Sequence, residues 1–435
     1  MSEMERNEGL WELYGLKGNP FSTTPLLVKG GLLPIDCFYG RENELDRLKR
    51  IFSSEGGSRV LVSGDVGVGK TSFVNYARSI SMNKGHFTHF KEIGVQEDWG
   101  AESFVMNTLY AVYSTLRLLD RGDMISKESY GRLQNLVEPT GMKTGPHGTN
   151  VAGFGVDTGR DAVVDRRTTF MSLMDFFGQI VQEIKGKTGK DIILHYNNLE
   201  RLSEKGLRKL FEDLRDFFQT DGVHFVFVGN LTVQSIFQSM PRVSSIISDT
   251  PILLTEFSLK DIEEILRIRI ECLRIPTLNL VTPFRSEVIR TLFELYGGNI
   301  RNVLNSLSTA VVEVTTEKPV TLNKNLLTHT LRSIVEKRYL ANLPPRAKDI
   351  LLEAVKHNET TNRSMSKNLK IARSNVSSYV RDLQNAGCLF LRRKDGKDKF
   401  WSVEPKIKWM LLQDETDKAQ GDLTQFIAYE SGAVV

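Results

Sequence analysis

Residues 64 to 71 read Gly-Asp-Val-Gly-Val-Gly-Lys-Thr, which matches the GxxxxGK[ST] spacing that wraps backbone N–H groups around phosphate oxygens. Gly64, Gly67 and Gly69 leave room for those N–H groups to converge, and Asp65, Val66 and Val68 complete the loop between them. The helix expected after the loop, opening on Thr71 and Ser72, turns its positive N-terminal end to the same anion. Lys70 is expected to reach the β and γ phosphates, and the Thr71 hydroxyl to bind Mg²⁺. Val60-Leu61-Val62 before the loop and SFVNYARSI after it supply the strand and helix that the motif requires. The expected ligand is ATP with Mg²⁺.

A phosphate loop of this kind usually works with an acidic residue at the end of a neighbouring apolar strand, which holds the magnesium ion. Here the strand is Ile192 to Tyr196, and the residues that follow are Asn197, Asn198, Leu199 and Glu200. Two amides stand where carboxylates are expected. An amide can orient a metal-bound water, but it carries no charge and is no base at neutral pH. Glu200 is the nearest carboxylate, and its offset suits a surface ion pair as well as a catalytic role. Binding of ATP with slow hydrolysis is the expectation.

Other polar residues occupy informative places. Asn230 follows the apolar stretch Val223 to Val228 and Gly229, where it either orients a water near the γ phosphate or simply makes the turn. Arg242 and Arg301 are candidates to approach phosphate from a neighbouring subunit and from a helical lobe, tasks that the fixed guanidinium fork suits. Taken alone, each reads rather as a surface or ion-pair arginine. His195, inside an apolar strand, reads as a satisfied core histidine.

A second chemistry lies near the C-terminus. Residues 361 to 410 hold twelve Lys or Arg against four Asp or Glu, while the whole chain carries a net charge of only +4. RAKDILLEAVKH, SMSKNLK and SNVSSYVRDLQNAG read as three helices, the last ended by Gly387. CLFLRRKDGKDKFWSV then alternates around Asp395-Gly396 as a hairpin. Three helices and a hairpin make a winged helix-turn-helix. Its third helix presents Arg373, Ser374, Asn375, Ser377, Ser378 and Arg381 to a major groove. The hairpin brings Arg392, Arg393, Lys394, Lys397 and Lys399 to neighbouring phosphates. Double-stranded DNA is the expected partner, with binding that weakens steeply with salt; the alternative is a protein-interaction module with solvated charges.

These residues need a scaffold to hold them. With 435 residues, 40% apolar and 25% charged, the chain is globular and long enough for two or three domains. Residues 1–37, punctuated by Gly and Pro, read as an irregular arm. From 38 to 255 short apolar runs alternate with helical patterns, which predicts a parallel three-layer α/β domain. Residues 141–160 hold six glycines and read as a loop or hairpin inserted in it. Residues 256–340 are helical throughout, 341–412 form the winged helix, and 413–435 form a tail. No run of eighteen apolar residues occurs, so no membrane contact is expected and a cytoplasmic protein is, near the nucleoid if it binds DNA. Cys37, Cys272 and Cys388 make neither a CxxC pair nor an even set, and read as ordinary buried thiols.

In this order the motifs resemble the AAA+ ATPases of the origin-recognition and replication-licensing type. The resemblance rests on Asn19-Pro20-Phe21, the FYGRENEL stretch from Phe38 to Leu45, the phosphate loop, Asn230, Arg242, the GGNIR stretch ending at Arg301, and the winged helix. It implies that Tyr39, Gly40 and Arg41 lie by the adenine, that Asn230 is sensor 1 and Arg301 sensor 2, and that ATP controls assembly on DNA. Asn197 and Asn198 depart from the family pattern, as does the glycine-rich insertion. Similar modules occur in signalling and defence switch ATPases and in ATPases that select transposition targets, so architecture alone leaves three functions open. The first is an ATP-switched DNA-binding protein that self-associates. The second is a nucleotide-gated regulator whose winged helix binds a protein, and the third an ATPase that recruits an effector nuclease or transposase to DNA.

Overall fold

The computed structural model describes residues 9–138, 166–247, 250–395 and 398–412. The glycine-rich segment 141–160, Lys397 and the tail from 413 lie outside the described residues, as do the side chains of Arg393 and Lys394. Two compact units emerge: Thr23–Leu273, and residues 9–22 with 274–412.

In the first unit, five strands form one parallel sheet: β1 (Ser58–Gly64), β2 (Ile93–Gly94), β3 (Ile192–Asn197), β4 (Val223–Val228) and β5 (Ile252–Leu254). Their order is β2-β3-β4-β1-β5, a parallel α/β sheet with helices on both faces. β3 and β4 are buried along their whole length because a parallel sheet is covered on both sides. Alternate residues therefore go to different cores. Ile192, Leu194, Tyr196, Phe225 and Phe227 join the larger core, which includes α3 (Ala101–Leu118) after α1 (Glu42–Phe52) and α2 (Lys70–Asn83) in the chain. Val60, Val62, Ile193, Val226 and Val228 pack with Leu48 of α1 and Phe73 and Val74 of α2. Further on come α4 (Lys127–Val137), α5 (Arg166–Thr188), α6 (Glu204–Asp213), α7 (Leu231–Gln238), the short α8 (Pro241–Ser244) and α9 (Leu259–Leu273).

The cysteine expectation fails for two of the three thiols. Cys37, in a short 3₁₀ turn Ile35–Cys37, and Cys272, near the end of α9, are joined in a disulfide with Cα atoms 6.6 Å apart. A separation of 235 residues hid the pairing, because only the folded sheet brings that turn against α9. Cys388 is a free buried thiol, as expected.

The second unit contains α10 (Ser286–Tyr296), α11 (Ile300–Val314) and α12 (Lys324–Val335). Residues 9–22 are pinned to it: Trp11, Tyr14 and Phe21 are buried, the Tyr14 hydroxyl bonds Thr315 Oγ1 at 2.6 Å, and Asn19 Nδ2 donates to Ser308 Oγ at 2.9 Å. The C-terminal part runs α13 (Pro345–Val355), β6 (Thr360–Thr361), α14 (Asn362–Leu369), α15 (Arg373–Asn385), β7 (Leu389–Asp395) and β8 (Asp398–Val403). The strands pair antiparallel in the order β6-β8-β7, with β7 and β8 forming the expected hairpin after α15. Ile350, Leu351, Met365, Val376, Val380, Leu383 and Trp401 form the core of this part. Gly387, at φ +73°, takes the left-handed position that ends α15.

Candidate functional site

β1 runs into the phosphate loop and α2 begins at Lys70, so the loop lies at the C-terminal end of the sheet. Crevices outside the carboxyl ends of parallel strands are where open α/β sheets bind ligands. Gly64 sits at φ +149°, and a Cβ there would lie 2.2 Å from the carbonyl oxygen of Leu254, so no other residue fits the exit from β1. Gly67 and Gly69 also have positive φ, and Asp65 and Val66 are exposed on the loop's outer side. Lys70 is 9% exposed, its ammonium donating to the carbonyl oxygens of Gly64 and Asp65, both at 2.8 Å. Ser72 Oγ accepts from the backbone N–H of Leu26 at 3.1 Å, which fastens the start of α2 to the incoming chain.

The two amides at the end of β3 part ways. Strand alternation sends Ile193, His195 and Asn197 toward α2, and the Asn197 side-chain amide donates to Thr71 Oγ1 at 3.1 Å. Asn198 takes a left-handed backbone at φ +63° and turns toward the sheet edge, where a Cβ on Gly94 would lie 3.8 Å from its Nδ2. There it lines a cleft of about 780 Å³ with Phe90, Trp99, Tyr110 and Arg201. Glu200 is exposed in the next turn. Asn197 is therefore the residue that the structure brings to the phosphate-loop hydroxyl.

Asn230 caps α7, its Oδ1 accepting from the Val233 N–H at 3.0 Å, while the preceding Gly229 N–H bonds Val62 of β1 at 3.2 Å. The amide is thus held at the end of β4, beside β1, by a turn that uses its oxygen. Arg242 is exposed on α8, and Arg301 is exposed in the first turn of α11, in the other unit. His195 is fully buried as a core histidine, its Nδ1 3.3 Å from Arg78 and 3.2 Å from Asn75 Oδ1, but its buried Nε2 has no hydrogen-bond partner, so the expected satisfaction is incomplete. Burial, then the charge of Arg78, holds it and His89 well below the ordinary imidazole range.

Tyr39 and Gly40 are partly buried, and Gly40 and Arg41 both have positive φ, +81° and +68°. A left-handed arginine is strained, and its side chain explains what holds it there. The guanidinium donates to the Thr255 carbonyl and lies 4.0 Å over the ring of Phe257, with burial lowering its pKa. A Cβ on Gly40 would meet the Phe257 ring at 3.5 Å, and one on Gly69 at 3.9 Å. Phe257 thus joins the Gly40-Arg41 corner to the phosphate loop. Sequence reasoning missed it, because a lone Phe after a short strand carries no motif.

In the C-terminal part, α15 buries Val376, Val380 and Leu383 and exposes Arg373, Ser374, Asn375, Ser377, Ser378 and Arg381. Two cations are already paired: Arg373 with Asp398 at 3.4 Å and Arg392 with Glu359 at 3.1 Å. Asn362 ties the helix to the wing, donating to Ser377 Oγ at 3.0 Å and accepting from Trp401 Nε1 at 2.9 Å. Lys399 is exposed, with its ammonium 5.9 Å from the centre of the Trp401 ring. Among the described residues, no helix is long and apolar enough to cross a membrane.

No family model matches the chain, and no curated protein matches it. Solved structures similar to it include the Aeropyrum pernix ORC1 protein in complex with DNA, 16% identical, covering 91% of this chain and 97% of that one with a TM-score of 0.45. The ADP form of the Aeropyrum pernix ORC2 protein is 14% identical over 89% of this chain and 97% of its own, with a TM-score of 0.48. The Walker-type ATPase PABY2304 of Pyrococcus abyssi is 14% identical over 90% and 99%, with a TM-score of 0.44.

Proposed function

We propose that this chain binds ATP with Mg²⁺ at the phosphate loop, hydrolyses it slowly, and uses the bound nucleotide as a switch for binding double-stranded DNA through the winged helix. The observation that carries the nucleotide part is the loop itself: positive-φ glycines, a Lys70 ammonium held on loop carbonyls that phosphate oxygens can replace, and Thr71 facing Asn197. These residues fit a nucleotide phosphate. A magnesium ion bound there would offset phosphate charge. Thr71 would hold it, and Asn197 would orient one of its waters without adding charge. In this reading Asn230, at the end of β4, holds a water, and Tyr39, Gly40 and Arg41 make the corner for the base.

The DNA part rests on the exposed polar face of α15 and the basic surplus around it. Duplex binding by purified protein at two salt concentrations, without nucleotide, with ADP and with ATP·Mg²⁺, tests both parts together. Salt-sensitive binding that changes with nucleotide is the expected result; absence of binding in every state would remove the DNA assignment. Arg373→Ala with Arg381→Ala should weaken binding several-fold at moderate salt, and an unchanged affinity would sink the assigned face.

The pairing of Arg373 and Arg392 with carboxylates favours a second reading, a nucleotide-gated regulator whose winged helix binds a protein partner. Recruitment of an effector enzyme to DNA is a variant of the first reading, distinguished by co-purification of that enzyme.

A further inference from the structure

The Cys37–Cys272 bond closes a ring around the base-side corner. Cys37 ends the turn Ile35–Cys37, and the next residue, Phe38, stacks on Tyr76 of α2 with ring centres 4.5 Å apart. Three residues further on, Arg41 reaches the Thr255 carbonyl and the Phe257 ring, and Phe257 in turn lies beside Gly69 of the phosphate loop. α9 opens at Leu259, two residues beyond that ring, and carries the chain to Cys272. The path from Cys37 through Arg41, Phe257 and α9 to Cys272 is then closed covalently. Residues 37–41 are held at one end by hydrogen bonding and stacking, and at the other by a bond that thiols can open.

We infer that this disulfide is a redox-modification site that controls how fast nucleotide leaves the phosphate loop. The inference rests on the proposed nucleotide reading of the loop. With the bond intact, the left-handed Gly40-Arg41 corner is tethered on both sides and nucleotide exchange is slow. With it open, the covalent tether is gone and the corner is held by non-covalent contacts such as those of Arg41 and Phe38, and exchange is faster. The geometry also says where reduction begins. Cys37 is 1% exposed, whereas Cys272 is partly exposed, so an external thiolate attacks Cys272 Sγ. A bond forms between the external sulfur and Cys272, and the Cys37–Cys272 bond breaks. Cys37 leaves as a thiolate and takes up a proton. A second external thiolate then attacks the external sulfur of the mixed disulfide, releasing Cys272 as a thiol and the reductant as its own disulfide. Re-formation reverses these steps with a small-molecule disulfide such as oxidised glutathione as the oxidant. Cys388 is fully buried and takes no part.

The test uses full-length protein equilibrated with oxidised or reduced glutathione. Peptide mapping of alkylated, unreduced samples identifies the bond, and a fluorescent ADP analogue reports release. The expected result is a Cys37–Cys272 peptide in the oxidised sample alone, with release at least about fivefold faster after reduction, the lower end of ordinary coupling between sites. Cys37→Ser and Cys272→Ser should each show the fast rate in both buffers, and Cys388→Ser should respond like the unmodified chain. Reduction of the unmodified protein keeps the test valid if a serine variant fails to fold. Absence of the cross-linked peptide after oxidation, or equal release rates with the bond present and absent, would overturn the inference while leaving nucleotide binding intact. Failure to bind the analogue in either state would instead bring down the nucleotide reading, and the switch with it.

Discussion

An amide at position 197 changes what Thr71 can share with a metal ion. In the proposed ATP·Mg²⁺ site, a carboxylate there would add a full negative charge beside the metal and accept from its waters, whereas the Asn197 amide donates to the Thr71 hydroxyl at 3.1 Å. Asn197→Asp restores the charge with almost no change in shape. Steady-state phosphate release by that variant should rise by about a hundredfold, the low end of what one well-placed group contributes to catalysis. Lys70→Ala should abolish binding of the nucleotide itself, read by equilibrium titration. An Asn197→Asp variant no faster than the parent would mean that Asn197 does not face the metal. Residue-scale electrostatics also governs the winged helix, where Asp398 holds Arg373 at 3.4 Å. Asp398→Asn frees that cation, so duplex affinity should rise several-fold at low salt, and the slope of log affinity against log salt should steepen by roughly one. Weaker binding would mean that the pair orders the wing for contact rather than withholding a charge.

At the scale of elements, the sheet carries buried imidazoles that make it acid-sensitive. Burial pushes His224 on β4 down to about 4, outweighing nearby Asp191, and holds His89 and His195 well below the ordinary range. In the unfolded chain these groups protonate near ~6.5. Below that pH the unfolded state binds more protons than the folded one, so stability is complete above it and falls as pH drops toward 4. The loss is on the order of 3 kcal/mol for His224 alone. Urea midpoints between pH 7 and pH 4.5 should decline accordingly, and His224→Gln, which takes no proton, should decline less; parallel curves would contradict the assignment. The strands themselves were legible, because β1, β3 and β4 are each built on a short, mostly apolar run and the loop motif fixes the end of β1. His195 was legible as a core residue for the same reason. Its partners Asn75 and Arg78 were not, since a fully buried arginine has no sequence pattern and exists only once α2 lies on β3. The disulfide and Phe257 escaped on the same ground: each joins segments that only the tertiary fold brings together.

At the scale of the whole molecule, the placement of Arg242 bears on self-association. It is exposed on α8, a four-residue helix opened by Pro241 and anchored by buried Val243. A rigid, anchored mount suits an arginine that reaches a phosphate on a neighbouring subunit, since such a group acts only across an interface and its value depends on position. If subunits meet in the ATP state, sedimentation should detect a larger species with a non-hydrolysable ATP analogue and Mg²⁺ than with ADP. Arg242→Ala should then return the distribution to that of the ADP state. Its nucleotide affinity at high dilution should stay within about twofold of the parent, because a residue used only between subunits contributes nothing to a lone one. The two readouts together separate an inter-subunit arginine from one that merely stabilises the α/β unit, which would lower affinity and assembly alike. A single species of unchanged size in every nucleotide state would make Arg242 a surface residue and leave ATP to act within one chain, on the corner formed by Gly40, Arg41 and Phe257.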